Sequence, residues 1–269
     1  MPPKRKARKP ADAVVTDDPG PEKKHKVALT TIAKEFICPI TQELPISPVT
    51  AEDGKIYEET AIRDWFSKKD GEPTSPSTGA VIGTKLLPAP QARNTIEALV
   101  ESGAIEGEIA EAWKEKLADE TGVKELRAKA EGGDGDAMCA LGGFYEFGDY
   151  GLAKDDVQAR AWYARSAATR DPSGLADFGK CLLLGLGGPQ DDVFGVMNVT
   201  EAAGLGSEVG AFLLGEAFFK GGFGLPKDPA RARYWLKKVV DGECTHKHLS
   251  DQSKANAAQS LRELEPDGE

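Results

Sequence analysis

The side chains that could do metal or thiol chemistry are few and scattered. Cys38, Cys139, Cys181 and Cys244 lie far apart with no CxxC pair. That distribution fits a reducing compartment and argues against a disulfide framework. Cys244, His246 and His248 put three metal-ligating residues within five positions. With no fourth ligand nearby, the trio reads as coincidence at the start of a helix, and no metal site is assigned. Between Phe36 and Val100 there is one cysteine, Cys38, and no histidine, so two structural zinc ions cannot be held there. Cys38 stands beside Pro39 in an apolar turn, the setting of a small buried hydrophobe.

The elements around these residues follow from pattern. Val49-Thr50-Ala51, Glu52-Asp53-Gly54 and Lys55-Ile56-Tyr57 read as a β-hairpin about an Asp-Gly turn. From Thr60 to Lys69, Ile62, Trp65 and Phe66 recur at helical spacing, which predicts an amphipathic helix. Pro73, Pro76 and Gly79 enforce a loop, and Pro39 and Pro48 stiffen the chain locally. Pro88 and Pro90 precede a second helix with Ala92, Ile96, Leu99 and Val100 on its apolar side.

Taken in order, Phe36-Ile37-Cys38-Pro39-Ile40-Thr41-Gln42-Glu43-Leu44, Ser47-Pro48-Val49, Gly54, Tyr57, Ile62, Trp65, Ser75-Pro76-Ser77-Thr78-Gly79, Leu87-Pro88, Arg93 and Ile96 resemble the U-box family. The resemblance implies a RING-shaped scaffold without zinc, its loops held by packing and buried hydrogen bonds. Glu43, Ser75 and Thr78 are the candidate polar members of that network. It also implies a groove for a ubiquitin-conjugating enzyme carrying ubiquitin. The family's contact positions fall on Ile40, Trp65 and Pro76, with Gln42 as a further contact. No catalytic residue, cofactor or covalent ubiquitin intermediate on Cys38 is implied, because such ligases act by holding a thioester near its acceptor lysine. The chain departs from the family at Gly79, where several members carry a basic residue, at Ala89, where many carry Asn, and at Ala92, where leucine is usual. The loop from Lys68 to Ser75 is slightly long.

From about Ala104 the sequence repeats itself. Gly142, Gly179 and Gly215 recur at intervals of 37 and 36, as do Asp155, Asp191 and Asp228, and Trp162, Asn198 and Trp235. Such a period marks a helical-hairpin solenoid, and its residues resemble the Sel-1-like family, relatives of tetratricopeptide repeats. Gly142 and Gly215 are expected where a first helix approaches its second closely, Asp155 and Asp228 as N-caps, and Trp162 and Trp235 between hairpins. The middle copy, with Asn198 for tryptophan, is degenerate. The expected organisation is a disordered basic tail over 1–30, the U-box over 31–101 and leading helices over 102–134. Three repeats over 135–245 and a closing helix over 246–264 complete it. The leading segment is expected to be a hairpin of Glu108–Leu117 and Val123–Gly132. The fold class is therefore an α+β U-box, a β-hairpin plus helices, followed by an all-α solenoid.

Charge is unevenly spread. Residues 1–26 hold eight Lys/Arg against four acids, so of the net -10 the remainder carries -14. An acidic body argues against direct nucleic-acid binding. The clusters Lys4–Lys9 and Lys23–Lys26 resemble a bipartite import signal, which places the protein in the nucleus, the cytoplasm or both. No apolar run is long enough for a membrane span. The expected activity is that of a RING-type ubiquitin-protein ligase whose repeats hold a protein substrate or scaffold. The alternative is a non-catalytic adaptor or dimerisation scaffold built on a drifted U-box.

Overall fold

The computed structural model describes residues 32–68 and 71–264. The basic tail, and with it the expected disorder and import clusters, lies outside the described residues. Two compact units divide the chain after Glu115. No helix among the described residues is long and apolar enough to cross a membrane.

The first unit is built on a short sheet. Strands β1 (Pro48–Thr50) and β2 (Ile56–Glu58) pair antiparallel with Val49 opposite Tyr57. Gly54 takes φ +73° in the turn between them, and Asp53 Oδ1 accepts from the Lys55 amide at 2.9 Å. Strand β3 (Leu87–Pro88) adds to β1, giving the order β2-β1-β3. Helices α1 (Glu59–Ser67) and α2 (Pro90–Glu101) fall where periodicity put them, and α2 buries Ala92, Ile96, Leu99 and Val100 as expected. The core joins Cys38, Val49, Ala51, Tyr57 and Ile62, with Ile40, Trp65, Phe66, Ile82 and Leu86 packed against it.

The leading segment differs from the expected hairpin: it is one helix, α3 (Glu108–Glu131). Gly122 lies between the two expected helices, yet it has no proline beside it and an added Cβ there meets open space. One glycine costs a helix about 1 kcal/mol relative to alanine, too little to interrupt a segment with buried residues on both sides of it. Trp113 near its start is 3% exposed and donates its indole N–H to the Pro45 carbonyl at 3.2 Å.

The second unit stacks three helical hairpins, α4 (Gly135–Phe147) with α5 (Asp156–Ala168), α6 (Pro172–Leu184) with α7 (Asp192–Gly204), and α8 (Glu208–Lys220) with α9 (Pro229–Val240). Helix α10 (Asp251–Leu264) closes the stack. Each hairpin is punctuated alike. Asp134, Asp171 and Ser207 cap the first helices, left-handed Gly148, Gly185 and Gly221 end them, and Asp155, Asp191 and Asp228 cap the second helices. The glycines that face the partner helix leave no room for a side chain. A Cβ on Gly142 would lie 2.6 Å from the Tyr163 ring, and one on Gly215 2.7 Å from Leu236 Cδ2. Trp162 sits among Val123, Ala130, Met138 and Leu141, filling the space ahead of the first hairpin. The first helices α4, α6, α8 and α10 pack on one another in a row, a contact that α5, α7 and α9 do not match.

Two alanine substitutions test this packing. Gly142→Ala is expected to lower stability by about 1–3 kcal/mol through overpacking, whereas Gly122→Ala raises it by about 1 kcal/mol if α3 is continuous. Chemical denaturation of both variants measures the two signs, and a neutral or destabilising Gly122→Ala contradicts the continuous helix.

Candidate functional site

The site is assembled by two loops that hang from one hairpin. The first loop, from Cys38 to Ser47, closes on itself where the Cys38 amide donates to the Glu43 carbonyl and the Gln42 amide to the Cys38 carbonyl, both at 2.9 Å. It is fastened to β2 by Glu58, whose Oε2 accepts from the amides of Ile46 at 2.7 Å and Ser47 at 3.2 Å. In return the Glu58 amide donates to Cys38 Sγ at 3.3 Å. Cys38 is fully buried, as expected of a packing residue.

The second loop, from Pro73 to Ile82, is fastened to the same hairpin through Asp53 and Tyr57. Ser75, 1% exposed, donates its hydroxyl to Asp53 Oδ2 at 2.5 Å and accepts from the amides of Ser77 and Thr78 at 3.1 and 3.0 Å. The buried Tyr57 hydroxyl donates to the same Asp53 oxygen at 2.7 Å and lies 3.1 Å from Ser77 Oγ. Backbone bonds from Ser75 to Ala80 and from Ile82 to Pro73 close the loop. Successive residues of a strand point to opposite sides. Tyr57 and Glu58 use that alternation to hold one loop each. Burial works against ionisation of Asp53, but hydrogen bonds from Ser75, Tyr57 and the Lys55 amide outweigh it and hold the carboxyl below its ordinary 3.8. Burial, foremost, pushes the Tyr57 phenol up, so it remains a donor at neutral pH.

The expected polar network is therefore partly redistributed. Ser75 is its buried centre. Glu43 is half-buried, and its backbone carbonyl closes the first loop. Thr78 is exposed, contrary to its expected burial: its amide donates inward to Ser75, while its hydroxyl accepts from the Ala80 amide at 3.3 Å. Sequence reasoning missed Asp53, Tyr57, Ser77 and Glu58. Tyr57 carried a signal, since a tyrosine on an apolar strand needs a partner for its hydroxyl.

Of the expected contact residues, Ile40 and Pro76 are half-buried in the first and second loops, and Gln42 is exposed. Gln42 holds φ +60° and returns its side-chain amide to the Pro39 carbonyl at 2.8 Å. Trp65, half-buried, packs against the same core as Ile40 and donates its indole N–H to the Thr74 carbonyl at 2.8 Å, two residues before Pro76. Helix α1 is thereby tied to the second loop. A cleft of about 260 Å³ lies elsewhere, lined by Ser47, Pro48, Val49, Glu59, Pro88, Ala89, Pro90 and Arg93, and none of the four contact positions reaches it. Ala89, in the N-cap position of α2, supplies no side-chain acceptor to the helix.

A module of sheet and helix, with two loops pinned to a hairpin, followed by helical repeats defines the class of protein. Residues 32–104 match the U-box domain family, and residues 135–168, 173–207 and 209–239 match the Sel1 repeat. The chain thus carries a U-box followed by three Sel1 repeats. Human WD repeat, SAM and U-box domain-containing protein 1 is 50% identical over 56 residues, 21% of this chain and 11% of that protein. U-box domain-containing protein 43 of Arabidopsis thaliana is 40% identical over 73 residues, 26% of this chain and 9% of that one. A Lotus japonicus protein named "Putative E3 ubiquitin-protein ligase LIN-1" is 40% identical over 55 residues, 20% of this chain and 4% of its own length. The chain therefore spans about a tenth or less of the curated relatives it matches. Among solved structures, a Sel1 repeat protein from Oxalobacter formigenes is 31% identical, with 44% of this chain and 89% of that one covered at a TM-score of 0.40.

The loop anchors generate a pH-resolved prediction. Tyr57→Phe removes one hydrogen bond, for about 1 kcal/mol, while Asp53→Ala strands two buried donors, for about 2–3 kcal/mol. Because the Asp53 pKa is depressed by folding, its contribution is present above the ordinary 3.8 and disappears as pH falls through the folded value. Denaturation of wild type and Asp53→Asn from neutral to acid pH should show a stability gap that closes only at the acid end. A gap independent of pH contradicts an ionised anchor.

Filling the vacant cap is a second test. Ala89→Asn is expected to stabilise the first unit by about 1 kcal/mol, read as a rise in Tm.

Proposed function

We propose that the protein is a RING-type ubiquitin-protein ligase that binds a ubiquitin-loaded conjugating enzyme and promotes transfer to a substrate lysine. The observation that carries this reading is the double anchoring of the loops. Ile40 and Pro76 occupy loops tied to one hairpin, and Trp65 is hydrogen-bonded to the second of them. A small apolar surface held this rigidly suits a loop of a partner protein, with its affinity concentrated in a few side chains. Gln42, exposed in the first loop, serves as a further polar contact in this reading. In the reaction the lysine amine attacks the thioester carbonyl on the conjugating enzyme, an isopeptide bond forms and the thiol leaves. This chain contributes arrangement and proximity. The similarity to relatives named as U-box proteins and as an E3 ligase supports the same assignment. The Sel1 repeats serve as the substrate or scaffold module, and the basic clusters at Lys4–Lys9 and Lys23–Lys26 serve nuclear import.

A non-catalytic adaptor is the second reading, favoured by Gly79. That position takes φ +72° with open space around it, a conformation that disfavours the basic residue several family members carry there.

Reconstitution with activating enzyme, a panel of conjugating enzymes and ubiquitin decides between them. The ligase reading expects chains with wild type, and a loss of about tenfold or more with Ile40→Ala or Pro76→Ala at unchanged Tm, the scale of a contact hot spot. No chains across the panel, with no conjugating enzyme bound, establishes the adaptor.

A further inference from the structure

The face made by the first helices of the first two repeats carries exposed apolar side chains near an ionic cluster that ties α4 to α6, and stacking of the hairpins leaves the apolar side chains uncovered. Phe147 and Leu184 hold the same register at the ends of α4 and α6, and are 67% and 54% exposed. Tyr150, 51% exposed in the loop after α4, stacks on Phe144 with ring centroids 4.2 Å apart. Beside this rim the Lys180 ammonium lies 2.9 and 3.1 Å from the two oxygens of Glu146 and 3.3 Å from Asp177 Oδ1. The Tyr163 hydroxyl donates to Glu146 Oε2 at 2.7 Å, and Cys139 Sγ lies 3.7 Å from Asp177 Oδ2.

The balance of charge here is negative. Two carboxylates share the one ammonium of Lys180. Asp136 and Asp171, at the starts of the same two helices, are close enough that the hydrogen bond between their carboxyls raises the pKa of Asp136. Burial first, and then the charge of Asp177, push the Cys139 thiol and the Tyr163 phenol up. The floor between the groups is low. Ala140 and Gly143 are small, and a Cβ added at Gly143 would meet only the Tyr163 oxygen, at 3.7 Å.

We propose that this face binds a cationic, leucine-type segment of a partner protein. An arginine or lysine would reach the Glu146–Asp177 carboxylates, and a bulky apolar side chain would lodge between Phe147 and Leu184. The proposal rests on the reading of the repeats as the substrate or scaffold module, and it names the chemistry of what they hold. An acidic peptide or a phosphate backbone would be repelled by Asp136, Glu146, Asp171 and Asp177, because the Lys180 ammonium is already paired with two of them and, besides it, His246 acts on Asp136 alone among the four. A second copy docking by the same face would meet the same repulsion. A cation gains from these groups, and an apolar neighbour supplies affinity that salt does not screen.

The test is fluorescence polarisation of the full chain with a short fluorescein-labelled peptide of alternating leucine and arginine, against its counterpart with glutamate for arginine. The expected result is saturable binding of the cationic probe alone. Its affinity should fall about tenfold as salt rises from about 50 to about 300 mM. Asp136→Lys and the double variant Phe147→Ala, Leu184→Ala each weaken it about tenfold or more. These side chains are exposed, so circular dichroism should report intact folding. Val193→Ala with Met197→Ala, exposed on α7, and Ile40→Ala in the U-box leave binding unchanged. Equal binding of the two probes, or cationic binding indifferent to the α4 and α6 variants, overturns the proposal. Neither ubiquitin nor a conjugating enzyme is in this assay. Its failure beside intact chain formation therefore sinks the partner class alone, and lost chain formation beside intact peptide binding sinks the ligase reading alone.

Discussion

One carboxylate shared by two hydroxyls holds the U-box together. Asp53 accepts from Tyr57 and Ser75 through a single oxygen and from the Lys55 amide through the other. A hairpin turn and a loop some twenty residues away thereby become one body. In a zinc-bound relative of this architecture the metal would supply about 10 kcal/mol or more to the same task. Here each bond contributes about 1 kcal/mol net, against a total stability of about 5–15 kcal/mol for a domain. The scaffold is accordingly graded in its response to damage, and no single removal resembles the loss of a metal. Glu58 does for the first loop what Asp53 does for the second, with two amides on one oxygen.

The solenoid solves a different problem with the same economy of parts. Each hairpin must bring two helices close and turn the chain twice. Glycine at the contact permits the first, and a left-handed glycine with a capping aspartate achieves the second. Because the positions recur, the hairpins superpose their first helices in a row. Side chains in equivalent places then form stripes, and Phe147 and Leu184 are one such stripe. The degenerate middle copy shows how much of this is separable. Asn198 turns its amide back to the Phe194 carbonyl at 2.8 Å within its own helix, yet Gly179 still meets Val199 and Asp191 still caps α7. The tryptophan is dispensable to the hairpin, while the glycine and the cap remain.

What the sequence disclosed follows the range of each interaction. The caps and glycines of the repeats act on amides two or three residues away or on φ at their own position, so type and spacing suffice to read them. The core of the U-box was legible for the same reason, through the periodicity of Ile62, Ile96, Leu99 and Val100. The anchors were not. Glu58 reaches residues 11 and 12 positions away, and Asp53 reaches one 22 away, distances at which a lone acidic residue looks like any solvated one. Thr78 was misjudged because its contribution runs through its amide, which no residue type advertises. The expected hairpin of Glu108–Leu117 and Val123–Gly132 failed in the other direction: buried side chains on both sides of Gly122 hold α3 as one helix. The contact residues Ile40, Trp65 and Pro76 came from resemblance, and the structure adds the mechanics that hold their loops.

The most direct test of the central claim, that these anchored loops present a docking surface, is an NMR titration of the protein with a purified conjugating enzyme. The indole N–H of Trp65, bonded to the Thr74 carbonyl, gives a signal of its own. The account predicts that this signal shifts together with the amides of Ile40, Gln42, Ser75 and Ser77, and that Asp53→Asn weakens the shifts. Perturbations confined to other faces of the protein, with the Trp65 indole unmoved at saturation, would contradict it.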